Sequence, residues 1–299
     1  MDINNKKIIF IVGPTGIGKT ALSINLAKQL ETEIISCDSR QFYKELLIGT
    51  APPNIKQLNE VKHHFIHNIS IKKKYNAGKF ENDAMKLITK LHEKKDVIIA
   101  VGGSGLYIDA ICKGLNHMPY ISDNIRDKLK HEFKLKGKEW LKNEVKKIDP
   151  EYYNTCDKEN KQRLLRALEV FRETQQPISI FRKKETKKRQ FSIIKIGLNT
   201  EREKLYKKIN NRVENMIKEG LLEEVHGLIP YQDLNALQTV GYKELFAFYS
   251  KKTTLKEAIE NIKKNSRRFA KRQITWFKRD KDIVWFEPHH VKNIQNFIV

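Results

Sequence analysis

Hydrophobic and polar positions alternate along the first hundred residues in a way that predicts strands separated by helices. After Lys7, the run Ile8-Ile9-Phe10-Ile11-Val12 is apolar without interruption and ends at Gly13. That is the pattern of a parallel strand buried on both faces. Helical spacing follows from Ala21 to Leu30 through Leu22, Leu26 and Leu30. A short strand is expected at Glu33 to Ser36. Phe80 to Glu93 reads as an amphipathic helix through Ala84, Leu87, Ile88 and Leu91, and a third buried strand runs from Asp96 to Val101. Strand alternating with helix implies a doubly wound α/β architecture.

The pattern changes at Gly114. From there to Gln190 the strand signals stop and charged helical segments take over, with breaks at Asp149-Pro150 and Pro177. Residues 114–190 are therefore expected to be a mostly helical insertion, and 1–113 with 191–299 an α/β core with a parallel sheet flanked by helices. Phe191 to Leu198 alternates like a strand that re-enters the sheet. Thr200 with Glu203 has the spacing of a capping box, and would open a helix with Leu205, Ile209, Val213, Met216 and Ile217 on its inner face. Leu255 to Lys278 is a further expected helix.

Composition adds a charge to this frame. The 299 residues carry 58 Lys and Arg against 36 Asp and Glu, a formal net charge of +22. Residues 1–110 have 16 basic and 11 acidic side chains (+5), 111–199 have 22 and 12 (+10), and 200–299 have 20 and 13 (+7). A field of this sign attracts polyanions; a compositional preference for lysine would also raise it. Apolar runs are too short to span a bilayer, and no long apolar stretch suggests a secretory leader, so a cytoplasmic location is expected. Cys37, Cys112 and Cys156 are too scattered for a disulfide framework.

Candidate chemistry begins at Gly13-Pro14-Thr15-Gly16-Ile17-Gly18-Lys19-Thr20, which fits G-x-x-x-x-G-K-[ST] at every fixed position between a strand and a helix. Backbone N–H groups of such a loop converge on a phosphate chain. Lys19 would supply a point charge, and Thr20 a hydroxyl ligand for Mg²⁺. The strand ending at Val101 leads into Gly102-Gly103 rather than a magnesium-binding Asp, and no Asn-Lys-x-Asp guanine reader is present. Both absences weigh against a GTPase or a nucleotide-driven motor.

Asp38 follows the second strand, at the end of the sheet where ligands bind; it suits a magnesium ligand, a general base or a helix cap. Gly102-Gly103-Ser104-Gly105 suits a tight turn or a close approach to substrate, with Ser104 offering a hydroxyl. His63, His64 and His67 lack the companion ligands of a zinc site. Gln162, Arg163 and Arg166 lie on an expected helix whose apolar side is Leu164, Leu165, Leu168 and Phe171. Basic rows at Lys263, Arg267 and Lys271, and at Lys264, Arg268 and Arg272, mark the last long helix, where Trp276 is either core or a stacking platform. A phosphate cradle on a basic chain leaves open a nucleotide kinase, a nucleotide-switched RNA binder and a group transferase acting on RNA.

The ordered motifs resemble one family, the bacterial-type tRNA dimethylallyltransferases (tRNA isopentenyltransferases). The similar blocks are residues 13–20, Ile-Ser-Cys-Asp-Ser-Arg-Gln-Phe-Tyr at 35–43, Ile-Gly-Thr-Ala-Pro-Pro at 48–53 and His-His-Phe-Ile at 63–66. Val-Gly-Gly-Ser-Gly-Leu-Tyr at 101–107, Arg-Leu-Leu-Arg-Ala-Leu-Glu-Val at 163–170, Val-Gly-Tyr-Lys-Glu at 240–244 and Ala-Lys-Arg-Gln-Ile-Thr-Trp-Phe at 270–277 complete the order.

The resemblance implies a P-loop core with an inserted helical domain. It also implies transfer of a dimethylallyl group from dimethylallyl diphosphate to N6 of adenosine 37 in tRNA, with Mg²⁺ and with no membrane or second subunit. The P-loop would hold the diphosphate. Asp38, Lys19, Ser104 and Arg212 would be catalytic, Arg212 through its place in Asn-Arg-Val-Glu-Asn-Met. Positions that match the family's tRNA-facing ones are Asp38, Ser39, Arg40, Gln41 and Ser104; Arg126, Gln162, Arg163, Leu164, Leu165 and Arg166; Gln238, Thr239, Val240, Gly241, Tyr242 and Lys243; and Lys271, Arg272, Gln273, Trp276 and Lys278. Four places depart from the family pattern: Ser104 for threonine, Arg40 for methionine, His67 for aspartate, and Gln175-Gln176 for a Thr-Gly-Lys-like turn.

Overall fold

A computed structural model of the chain describes residues 5–182 and 186–298. Residues 1–4, 183–185 and 299 of the expected domain ranges lie outside the described residues. The chain divides into two compact units, Met1–Lys113 with Lys188–Val299, and Gly114–Lys187. Lys188 to Gln190, expected in the insertion, side with the first unit. Arg189 explains this: its guanidinium donates to the carbonyls of Ile111 and Ala110 and pairs with Glu81 at 3.1 Å, both side chains nearly closed to water.

The first unit is built on a six-stranded parallel sheet. Its strands are β1 (Lys7–Val12), β2 (Ile34–Ser36), β3 (His63–His64), β4 (Val97–Gly102), β5 (Ser192–Leu198) and β6 (Ile283–Phe286), in the order β3-β2-β4-β1-β5-β6. β1 lies between β4 and β5, with Phe10 opposite Ala100 and Lys195. Its neighbours cover both edges and helices cover both faces, so Ile8 to Val12 are at most 1% exposed. The unbroken apolar run needs that double burial.

Helices of this unit are α1 (Lys19–Gln29), α2 (Ile55–Glu60), α3 (Ala77–His92) and α4 (Gly105–Cys112). One face of the sheet packs Phe10, Ile35 and Ala100 against Phe80 and Ala84 of α3 and Ile108 and Ile111 of α4. The other packs Ile9, Ile11 and Ile99 against Leu22 and Leu26 of α1.

The second unit holds α5 (Asp123–Ile148), α6 (Pro150–Thr155), α7 (Lys161–Thr174) and α8 (Ile178–Phe181). Gly137 breaks α5 with φ 76°, ψ −167°, a conformation that a side chain would resist. Leu129, Leu141, Val145, Leu164, Leu165 and Leu168 form its core. Leu164 and Leu165 therefore do not face RNA as expected from the family positions; α7 turns both inward and presents Gln162, Arg163 and Arg166 instead.

Asp149 joins three segments of this unit. One carboxylate oxygen caps α6 at the Tyr152 amide (2.9 Å) and the other accepts the Ser179 amide (2.8 Å), with Asp149 only 2% exposed. Asp149→Ala strands two buried donors, so we expect a loss of roughly 2–4 kcal/mol, with Asp149→Asn losing less. Urea unfolding followed by Trp140 fluorescence reads this; an unchanged midpoint for the alanine variant would contradict it.

After the insertion come α9 (Arg202–Lys218), α10 (Leu221–Gly227), α11 (Tyr242–Tyr249), α12 (Leu255–Phe277) and α13 (Val291–Ile298). The expected capping box at Thr200 does not form: α9 starts at Arg202 with Glu201 as N-cap and no side-chain cap. Reciprocal boxes stand instead at Asn54 with Gln57 and Thr254 with Glu257. Among the described residues no helix is long and apolar enough to cross a membrane.

Candidate active site at the carboxyl end of the sheet

β1 ends in the P-loop, and α1 begins at Lys19 on a left-handed Gly18 with no acidic residue in its first turn. Gly13, at φ 144°, lies so close to β5 that a Cβ there would fall 2.6 Å from the Leu198 carbonyl oxygen, so the first motif position has to be glycine. Lys19 folds back on its own loop, its Nζ donating to the carbonyls of Gly13 (3.0 Å) and Pro14 (2.8 Å). Burial first, and then the positive charge of Arg212, push its pKa down to about 7, while Asp38 acts the other way. Lys19 thus rests on its own loop with its pKa drawn well below that of a free ammonium.

Arg212, on α9, donates to Thr15 Oγ1 (3.1 Å) and to the Ala51 carbonyl (3.0 Å). Burial lowers its pKa and Asp38 raises it. The guanidinium therefore stands over the P-loop with one arm on the chain that follows Gly49. Gln41 binds that same chain, donating to the Thr50 (3.3 Å) and Ala51 (3.0 Å) carbonyls.

Asp38 caps no helix, since the chain after it makes a turn. Its Oδ1 accepts the Arg40 amide (2.8 Å) and the Gln41 amide (3.4 Å), a local turn anchor, while Oδ2 makes no hydrogen bond among the described residues. Ser104 acts on the same loop from β4: its hydroxyl accepts the Ser39 amide (2.9 Å) and donates to Ser39 Oγ (3.1 Å). The residue expected to meet substrate is thus engaged in holding the segment that carries Asp38. Arg40 is likewise committed, its guanidinium donating to the Asn235 (2.7 Å) and Ala236 (3.2 Å) carbonyls.

The glycines at and just after the end of β4 are required by close packing within the protein, and both also line the cavity described below. A Cβ on Gly102 would sit 2.4 Å from the Cys37 carbonyl oxygen, and one on Gly103 would sit 2.1 Å from the Gln273 amide nitrogen. Gln273 has a role inside the protein: it is 5% exposed at the cavity wall, accepting the Thr15 amide (2.8 Å) and donating to the Gly103 carbonyl (2.9 Å), so it ties the P-loop to the turn after β4. Tyr242 is fully buried. Trp276 is half-buried against the core: its indole N–H donates to Asp109 (3.2 Å), Gly105 packs against its ring, and Arg279 lies over that ring.

These groups line one open cavity of about 1790 Å³. Thr15, Gly16, Gly18, Lys19, Thr20 and Arg212 form one part of the wall; Asp38, Ser39, Arg40, Gln41 and Ser104 form another. Gln238, Thr239, Val240, Gly241, Lys243 and Arg272 line it as well. Lys271 on α12 and Lys278 just after it are exposed outside the cavity, and Arg126, Gln162, Arg163 and Arg166 belong to the second unit. There Arg126 and Arg166 both pair with Glu169, at 4.0 and 3.4 Å. The cavity exceeds the roughly 300–1000 Å³ of an ordinary small-molecule pocket, so a diphosphate ester leaves room for a nucleoside.

The Thr20 hydroxyl makes no hydrogen bond among the described residues and faces the cavity that Asp38 also lines. A hydroxyl and a carboxylate are the hard oxygen donors that Mg²⁺ accepts beside phosphate and water. His63 Nδ1 meets the Val61 carbonyl and His64 Nε2 meets Glu33, and no cluster of three or more metal-ligating side chains stands among the described residues.

A family model described as IPP transferase matches residues 41–280. The chain is 50% identical to a tRNA dimethylallyltransferase of Christiangramia forsetii over 292 residues, 97% of each chain, and 49% identical to one of Flavobacterium johnsoniae over 301 residues, 98% of this chain and 97% of that one. Among solved structures, a full-length tRNA isopentenylpyrophosphate transferase from Bacillus halodurans superposes with a TM-score of 0.72 at 35% identity, covering 98% of this chain and 95% of that one. A eukaryotic dimethylallyltransferase described as acting on tRNA gives 0.78 at 27% identity, covering 94% of this chain and 74% of that one.

Proposed function

The chain belongs to the IPP transferase family, and on that premise we propose that it transfers the dimethylallyl group of dimethylallyl diphosphate to N6 of adenosine 37 in tRNA, releasing diphosphate. The observation that carries this reading is the union, in one cavity, of a P-loop with its Lys19 and Arg212 cations and a carboxylate, Asp38, that keeps one oxygen unengaged. A tRNA substrate supports a cytoplasmic location.

The chemistry follows from charge. The allylic C–O bond breaks as negative charge collects on the departing diphosphate. Lys19, Arg212 and the loop amides are preorganised donors that would meet that charge as it develops. The N6 amine attacks the allylic carbon, the N–C bond forms, and Asp38 takes the proton that N6 loses. Thr20 would hold Mg²⁺, which supplies further neutralisation of the diphosphate when bound. The target base has to leave the anticodon-loop stack to enter the cavity. The basic side chains of the second unit and of α12 are then assigned to the tRNA backbone, where they give affinity without reading sequence.

The test is a single incubation with an anticodon stem-loop RNA and either labelled dimethylallyl diphosphate or γ-labelled ATP. Prenyl label is expected in the RNA, and none when residue 37 is guanosine. Phosphate label on a small molecule, with no prenyl label in RNA, would overturn the proposal in favour of a kinase.

A further inference from the structure

Glu224, on α10, has no place in the machinery above, yet its carboxylate is the most heavily engaged near the cavity. Oε2 accepts the backbone amides of Leu47 and Ile48, both at 2.7 Å, and Oε1 accepts the Gly49 amide at 3.1 Å and the Tyr242 hydroxyl at 2.6 Å. Three consecutive amides thus converge on one side chain more than 170 residues away in sequence. Tyr242 completes the seat from behind: its ring lies 2.7 Å from where a Gly49 Cβ would stand, so only glycine fits there.

The chain seated in this way leads directly to the Thr50 and Ala51 carbonyls. Ala51 accepts Arg212 and Gln41, and Thr50 accepts Gln41 again. Arg212 continues to Thr15 of the P-loop, and Gln41 lies on the turn anchored by Asp38. We infer that Glu224 is a positioning residue for the transfer: it fixes residues 47–51 so that their carbonyls set Arg212 over the diphosphate site and Gln41 beside the proposed base. A carboxylate is an effective acceptor for these amides, because charge-assisted hydrogen bonds are shorter and stronger than neutral ones. The inference rests on the transferase reading, so wild-type prenyl transfer to the stem-loop is measured first in the same assay; its absence counts against that reading and not against Glu224.

Glu224→Ala is expected to lower kcat roughly 10–100-fold, the scale on which a displacement of about 1 Å acts in catalysis, while stem-loop affinity stays unchanged. Hydrogen exchange at the Leu47, Ile48 and Gly49 amides should accelerate in the same preparation. Glu224→Gln keeps an oxygen for Leu47 and Ile48 but loses the charge and the Gly49 bond, and should fall between wild type and alanine in kcat. Wild-type kcat in the alanine variant overturns the inference, as does a loss of turnover matched by an equal loss of stem-loop binding. If the alanine variant does not fold, wild-type kcat in the glutamine variant overturns it instead.

Discussion

Replacing Asp38 by asparagine should abolish most turnover while leaving the site assembled. Asparagine keeps an oxygen that can accept the Arg40 and Gln41 amides, so the turn after β2 survives. What it removes is the carboxylate proposed to take a proton from the exocyclic amine, whose Oδ2 makes no hydrogen bond among the described residues. A positioned general base is worth about 10²–10⁴ in rate, and that is the fall in kcat expected for Asp38→Asn. Affinity for the anticodon stem-loop should hold, because it rests on many basic side chains. Asp38→Ala removes the turn anchor as well, so it should match asparagine in kcat and also shorten the protection of the Arg40 and Gln41 amides against hydrogen exchange. Single-turnover prenylation, with stem-loop binding measured in parallel, separates these effects. An asparagine variant with near wild-type turnover would remove Asp38 from the proton transfer and leave it only the turn.

Much of the site was legible because its parts are local. The P-loop is eight consecutive residues whose glycines answer to short-range demands, and the strand before it is an apolar run that only double burial explains. Likewise the insertion announced itself by the loss of strand periodicity. Less legible were roles that arise between distant residues. Gln273 reads as one more polar residue on a basic helix, yet it closes on Thr15 from 258 positions away. Glu224 sits in an ordinary Leu-Leu-Glu-Glu helix start, and nothing local tells its partners. Motif positions also mix side chains that face a substrate with side chains that hold the motif in place. Leu164, Leu165, Tyr242 and Gln273 are of the second kind, since each is buried. Short elements escaped for a further reason: β3 is two residues, and β6 is four residues completed only by its pairing with β5.

Lys19 should make donor binding depend on pH in a direction that its position dictates. Its pKa in the free protein is about 7, chiefly because the ammonium is buried and secondarily because Arg212 lies near. A diphosphate brings negative charge and favours the ammonium form, so the bound-state pKa is higher. Below pH 7 the free protein already carries the charge, and Lys19 adds no pH dependence. Above pH 7 binding has to take up a proton, so affinity should fall by up to about tenfold per pH unit. The donor's own phosphate titrates with the opposite sign, since its charge grows as pH rises. Lys19→Arg isolates the two contributions: a guanidinium stays charged throughout, and its profile carries only that of the donor. Calorimetric titration with dimethylallyl diphosphate over roughly pH 6–9, in buffers of different ionisation enthalpy, reads affinity and proton uptake together. Wild type should diverge from Lys19→Arg only on the alkaline side. Lys19→Ala should lose about 10²–10³ in kcat, the scale of a single preorganised charge at a departing anion. Parallel profiles for wild type and Lys19→Arg would mean that Lys19 already carries its full charge in the empty loop. Its hydrogen bonds to Gly13 and Pro14 would then be a resting place for a permanent cation rather than the seat of a titrating one.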